Sequence, residues 1–349
     1  MPPVGASSQG SGPARINYET IMKPSICVAA VAGLFVLGGC ASSTQEISAA
    51  PPAAHSLAPS EAETQSSSAL TQLVNLDYSN GTISVFSISK DRARLTKSFA
   101  PGQGVAQGVA MDAQGRIYTT ITAASSDPCA ACVEVFTADG KLVESLPAPI
   151  LSGASGQPSL TDVAVDADRN VYVSDYGQQA VYFYPRASKT RKPTIVVQHS
   201  QNAASVLATP DGGTVVVSGG CGFASVRPYT HVGRGKYTAG SCFGIGTIAL
   251  IGGAIDGQID VMTPVDGVPA LVSVSSPSGG SSFHTPGHLA SISGVAFNSD
   301  ASIAYVANAR KECVYAFARP AKGWLLAAHP KLLATYRGFT NLDIIAVAP

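Results

Sequence analysis

Between Leu160 and Gln198 the chain reads Leu-Thr-Asp-Val-Ala-Val-Asp-Ala-Asp-Arg-Asn-Val-Tyr-Val-Ser-Asp-Tyr-Gly-Gln-Gln-Ala-Val-Tyr-Phe-Tyr-Pro, then a basic turn, then Pro193-Thr-Ile-Val-Val-Gln198. Three β-rich runs, Val163–Val165, Val171–Val173 and Val181–Tyr184, stand close together, and Thr194–Val197 follows after a longer turn. Asp, Asn, Gly and Gln fill the gaps, the pattern of a four-stranded antiparallel meander. One meander leaves both faces of its sheet in water, so it needs neighbours of the same kind.

Those neighbours are in the chain. The first strand recurs as Gly108–Asp112, Asp162–Asp166, Ser205–Thr209, Thr247–Ile251, Gly294–Asn298 and Asp343–Val347, at intervals of 54, 43, 42, 47 and 49 residues. Tight polar turns follow the clear copies, as in Ala167-Asp-Arg-Asn170 and Pro210-Asp-Gly-Gly213, and supply hairpin geometry. A period in the forties with four strands per unit is that of a β-propeller. The last copy begins at Leu342 and the chain ends at Pro349, so it has room for one strand. Its missing strands lie at the other end: Leu73–Phe86 aligns without gaps to Val171–Tyr184, with Asp77 on Asp175. Ala304–Phe317 aligns to the same window, with Asn308 on Asp175. The expectation is an all-β, six-bladed β-propeller, its ring closed by N-terminal strands pairing with the C-terminal strand, which removes an open edge. Blade four, from Thr247 to about Ser291, is the poorest copy and leaves its strand assignment open. A β-sandwich is the alternative, but a sandwich has no reason to split one repeat between its termini.

The 35 Gly, 23 Pro and 13% charged residues suit a turn-rich β domain with a tail. The net charge is zero, so the electrostatic footprint of nucleic-acid binding is missing. Residues 1–21 are Gly-, Ser- and Pro-rich, and Met22-Lys23 then opens a short basic segment, so Met22 is read as the true start. The apolar run Ile26–Leu37 is short for a spanning helix and suits an export signal. It ends in Leu37-Gly-Gly-Cys40, which resembles the lipobox of bacterial lipoproteins. The resemblance implies that the signal is cut before Cys40, that its sulfur receives a diacylglyceryl group and that its amine is acylated. An ordinary cleaved signal with a chance cysteine is the alternative. Ala41–Ala69 holds almost no large apolar residue and cannot bury enough surface to fold. The expected organisation is a signal region over 1–39, the lipidated Cys40 with a disordered tether over 40–70, and the propeller over 71–349. The location is the cell membrane or outer membrane, lipid-anchored on the exported side.

The blade motif, Pro/Leu-x-x-Val-Ala-Val-Asp-x-x-Gly/Asn-x-Val-Tyr-Val-x-Asp, resembles the NHL repeat of six-bladed propellers. That group includes protein-interaction scaffolds, a lactonase type with a divalent cation at the axis and a zinc lyase type with axial histidines. Neither ligand set carries over. Gln107, Asp162, Ser205, Gly246, Ser293 and Asn341 precede the first strands, and Gln107 and Thr161 stand where the lyase needs His. The reading is therefore a membrane-anchored cell-envelope binding or protein-interaction propeller. Its partners are the membrane, through the lipid, and an envelope protein or small ligand; no catalytic residue, metal or cofactor is assigned. A lactonase- or lyase-like metal-dependent enzyme is the alternative.

Strand direction puts the cysteines of the propeller segment, Cys129, Cys132, Cys221, Cys242 and Cys313, and the pair His284 and His288, on one face. Three readings stay open for the cysteines. Cys221 with Cys242, and Cys129 with Cys132, would form disulfides in an oxidising compartment. The same residues would otherwise be buried thiols, or would join His in a metal site. Asp77, Asp175 and Asn308 recur at one blade position. They either hold turn backbone or form a polar ring for a ligand, and with His284 and His288 they are the candidate top-face binding residues.

Overall fold

The computed structural model describes residues 72–347, except 103, 124–130, 155, 187–191, 199–202, 219–220, 222–223, 234, 246–251, 266–267, 287–290 and 326–328. Cys40 and the two segments assigned to signal and tether lie outside the described residues, as do Cys129 and His288.

The architecture is all-β, and no α-helix occurs among the described residues. The first three strands are β1 (Gln72–Asp77), β2 (Thr82–Ser89) and β3 (Arg92–Phe99). A four-stranded antiparallel sheet follows, with β4 (Gly104–Met111), β5 (Ile117–Ala123), β6 (Ala131–Phe136) and β7 (Leu142–Pro147). The next is β8 (Leu160–Val165), β9 (Val171–Asp175), β10 (Ala180–Tyr184) and β11 (Thr194–Gln198). Then come β12 (Val206–Ala208), β13 (Thr214–Ser218), β14 (Ser225–Gly233) and β15 (Lys236–Ala239), with β16 (Phe243–Gly244) paired back on β14. A further sheet holds β17 (Ala254–Ile255), β18 (Val261–Pro264), β19 (Leu271–Ser276) and β20 (Gly279–His284). The last strands are β21 (Ile292–Phe297), β22 (Ile303–Asn308), β23 (Cys313–Ala318), β24 (Leu332–Arg337) and β25 (Ile344–Val347).

The strands at the two ends of the chain meet. β25 pairs antiparallel with β1, with Leu73 opposite Val347 and Leu76 opposite Ile344. The order β25-β1-β2-β3 is joined to β24-β23-β22-β21 by one parallel pair, Arg337 with Arg92, so the two form an eight-stranded sheet. Away from that single link each half is a four-stranded antiparallel meander.

Apolar cores lie between successive sheets. Val133 and Val135 pack with Val163 and Tyr182, Tyr172 and Val181 with Val206 and Val217, and Val216 with Ile255 and Val261. Met262 and Val274 then meet Val306 and Tyr315. Tyr305 and Val314 meet Leu73 and Ile345, while Val74, Ile83 and Ile344 pack on Val109 and Ile117. The second strands read nearly all-buried, as in β9 and β13, because each sheet is covered on both faces. β25 shows the same effect. Ile345 and Val347 enter one core and Ile344 and Ala346 the other, so its alternation separates two neighbours rather than inside from outside.

One side chain shapes the turn after each first strand. Asp112 Oδ1 accepts from Gln114 N and Arg116 N, both at 2.9 Å. Asp166 Oδ1 accepts from Asn170 N at 2.8 Å, Asp256 Oδ1 from Gln258 N and Asp260 N at 2.8 and 2.9 Å, and Asn298 Oδ1 from Ile303 N at 2.8 Å. Thr209 does the same with Thr214 N at 3.0 Å. This repeat position corrects the reading of the fourth unit. Its first strand is Ala254–Ile255, running into Asp256, whereas Thr247–Ile251 lies outside the described residues. The turn-forming Asp256 sets the register of this strand.

Candidate functional site

The described residues line two cavities of different size. The first is narrow, about 140 Å³, and is bordered by β4, β8, β12, β17, β21 and β25. Its walls are Val109–Met111, Val163–Val165, Leu207–Ala208, Gly253–Ile255, Val295–Asn298 and Ile345–Val347, almost wholly apolar. It offers no set of carboxylates or amides for an ion.

The second, about 530 Å³, lies where the first strands begin, between β21 and the β25–β1 pair. It is built from the end of β1 upward. After Asp77 the chain turns through Tyr78–Gly81, with Gly81 at φ +71 and its N–H donating to Asp77 O at 2.8 Å. Asp77 Oδ1 accepts from Ser79 N at 3.0 Å and Ser79 Oγ at 2.6 Å. Its Oδ2 accepts from Asn80 Nδ2 at 2.8 Å. The buried Asn75 of β1 then holds the approach to β25: its Nδ2 donates to Asn341 O at 2.8 Å and its Oδ1 accepts from Asp343 N at 2.7 Å. Asn341 takes a left-handed φ of 48 to enter that strand. Tyr78 N donates to Asp343 Oδ2 at 3.2 Å, so Asp77 and Asp343 line one space. Ser291 and Ser293, at the entry to β21, and Ala309, in a 3-10 turn, form the opposite wall. Of the lining residues, all but Ala309 and Leu342 are polar. Burial pushes the Asp343 carboxyl above the usual range, the Tyr78 N–H opposes this, and the charge of Asp77 adds to the rise.

The other candidate residues are placed differently. Asp175 is fully buried; its Oδ1 accepts from Ser159 N and Gln178 N, and its Oδ2 from Gln178 Nε2 and Tyr182 Oη. Asn308, also fully buried, caps the 3-10 turn by accepting from Lys311 N at 3.2 Å and donates to Tyr315 Oη at 3.3 Å. Asp77 is the one member of the recurring position that opens on the cavity. His284 is the exposed last residue of β20, opposite Leu271. Cys221 and Cys242 are joined by a disulfide. Cys242 lies beyond β15, which ends at Ala239, and Arg227 Nε donates to its Sγ at 3.2 Å. Cys132 is disulfide-bonded and Cys313 is a buried free thiol. Among the described residues no three of His, Cys, Asp and Glu are grouped to hold a metal ion.

Sequence reasoning misses Asp343 and Asn80 as site residues, and it offers Ser293 and Asn341 only as positions that depart from a known ligand set. Asp343 carried a signal: it occupies the repeat position of Asp162. Asp162 itself is buried and spent on backbone, accepting from Val163 N at 2.9 Å and Val206 N at 3.2 Å.

No family model matches the chain, and no curated protein matches it. Solved structures align weakly. A functionally unknown protein from Desulfotomaculum acetoxidans DSM 771 is 14% identical with a TM-score of 0.49, over 80% of this chain and 86% of that one. A protein from Lactobacillus plantarum is 15% identical with a TM-score of 0.47, over 80% and 85%. Virginiamycin B lyase from Staphylococcus aureus is 11% identical with a TM-score of 0.38, over 66% and 70%. Likenesses this weak do not bear on the chemistry of the site; the propeller-like architecture stands on the chain's own sheets.

Proposed function

We propose that this chain is an exported, lipid-anchored propeller of six blades, closed by its own termini, that binds a small polar ligand of the cell envelope in the Asp77–Asp343 cavity. The blade count and closure draw support from the pairing of β1 with β25 and from the cores between successive sheets. Export and anchoring draw support from the Leu37-Gly-Gly-Cys40 sequence. The ligand reading is carried by one observation: a cavity of about 530 Å³ lined by two aspartates, two asparagines and three serines. That is the size of a small-molecule site, with polar groups converging on it.

Two experiments test the reading. Cys40→Ser should abolish detergent-phase partitioning; unchanged partitioning would remove the anchor. A thermal-shift screen of sugars, amines and divalent cations should raise the melting temperature for one class, since a ligand bound only by the folded state stabilises it. A flat response across all three classes would remove the small-ligand reading.

A further inference from the structure

Taking the Asp77–Asp343 cavity as a ligand site, we propose that its ligand is a small organic cation bearing a primary ammonium group. Among the described residues the lining carries two carboxylates and no Lys, Arg or His. The charge that Asp343 feels is that of Asp77. Arg310 and Lys311 follow Ala309 in the 3-10 turn, but they are exposed, outside the lining and followed by Glu312. Two like charges sharing a partly desolvated space favour a positive guest, and a neutral polyol would leave their repulsion in place.

The acceptors left over suit an ammonium better than a metal ion. Asp77 is occupied by Ser79 and Asn80. Asp343 takes its one side-chain hydrogen bond on Oδ2, which leaves Oδ1 open. The Ser291 hydroxyl and the Asn341 side chain make no hydrogen bond among the described residues. These three oxygens match the three donors of a primary ammonium. A calcium ion asks for six to eight oxygens, and the cavity is far larger than an ion requires.

The test is isothermal titration of the full chain with 1,4-diaminobutane at low ionic strength, alongside calcium chloride and sorbitol. The diamine is expected to bind, and Asp343→Asn should weaken it roughly tenfold or more, the loss of one charge-assisted hydrogen bond. Asp139→Asn, on a remote exposed turn, should leave binding unchanged. In the unmodified protein the affinity should fall as the pH is lowered and Asp343 takes up a proton, with a midpoint above the ordinary value of 3.8. That profile decides the matter if Asp343→Asn does not fold. Diamine binding that is equal in native and Asp343→Asn protein, or that ignores pH, overturns the assignment. Calcium or sorbitol bound in its place overturns the ammonium but keeps the ligand site. Silence from all three overturns both.

Discussion

At the scale of single residues the carboxylates divide by what their oxygens already do. Asp112, Asp166 and Asp256 each give Oδ1 to turn backbone, while Oδ2 accepts from Tyr118 Oη, Tyr172 Oη and Arg319 respectively. Asp162 is the costly case. It is buried between β8 and β12 with backbone N–H groups but no cation as partners, and burial pushes its pKa up from 3.8 to about 7. The folded protein therefore holds this proton more tightly than the unfolded chain does. Its contribution to stability is complete below 3.8 and is lost as pH rises through about 7. Urea midpoints should show a decline over that window that is shallower in Asp162→Asn. An identical slope in the variant would assign the pH dependence elsewhere.

At the scale of elements, close approach between first strands positions the site. A Cβ on Gly294 of β21 would stand 2.7 Å from Asp343 O and 3.0 Å from Ile345 N. Gly108 stands in the same relation to Asp162, at 2.7 Å from its Cα. Both glycines occupy the same repeat position, where adjacent strands touch backbone to backbone. Gly294→Ala should push β25 away from β21, cost about 1–3 kcal/mol, and disturb the wall that carries Ser293 and Asp343. A denaturation curve superimposable on the parent's would show that the strands have room to spare.

At the scale of the whole molecule, the question is what holds the two ends of the chain together. Leu342, Ile344, Ile345, Ala346 and Val347 are all buried, and Asn75 bonds across 266 residues to Asn341. Deleting Asn341–Pro349 removes about four large apolar contacts at roughly 1.5–3 kcal/mol each and uncovers β1 as an edge. Deleting Ala41–Ser67 removes three times as many residues but almost no large apolar side chain, so melting should hardly change. Equal melting of the first truncation and the parent would contradict the proposed ring closure.

The meander and its period were legible in the residues alone, because strand alternation and turn chemistry are local demands that every clear copy must meet. So was the equivalence of Asp77, Asp175 and Asn308. Packing alone settles that Asp175 and Asn308 are spent on their own turns and side-chain networks, while Asp77 faces a cavity with Asp343. It likewise places the fourth unit's first strand at Ala254–Ile255. A repeat records what each copy needs for its own turns. Which copies face one another depends on where the ends of the chain meet, and that is a matter of packing between residues more than two hundred positions apart.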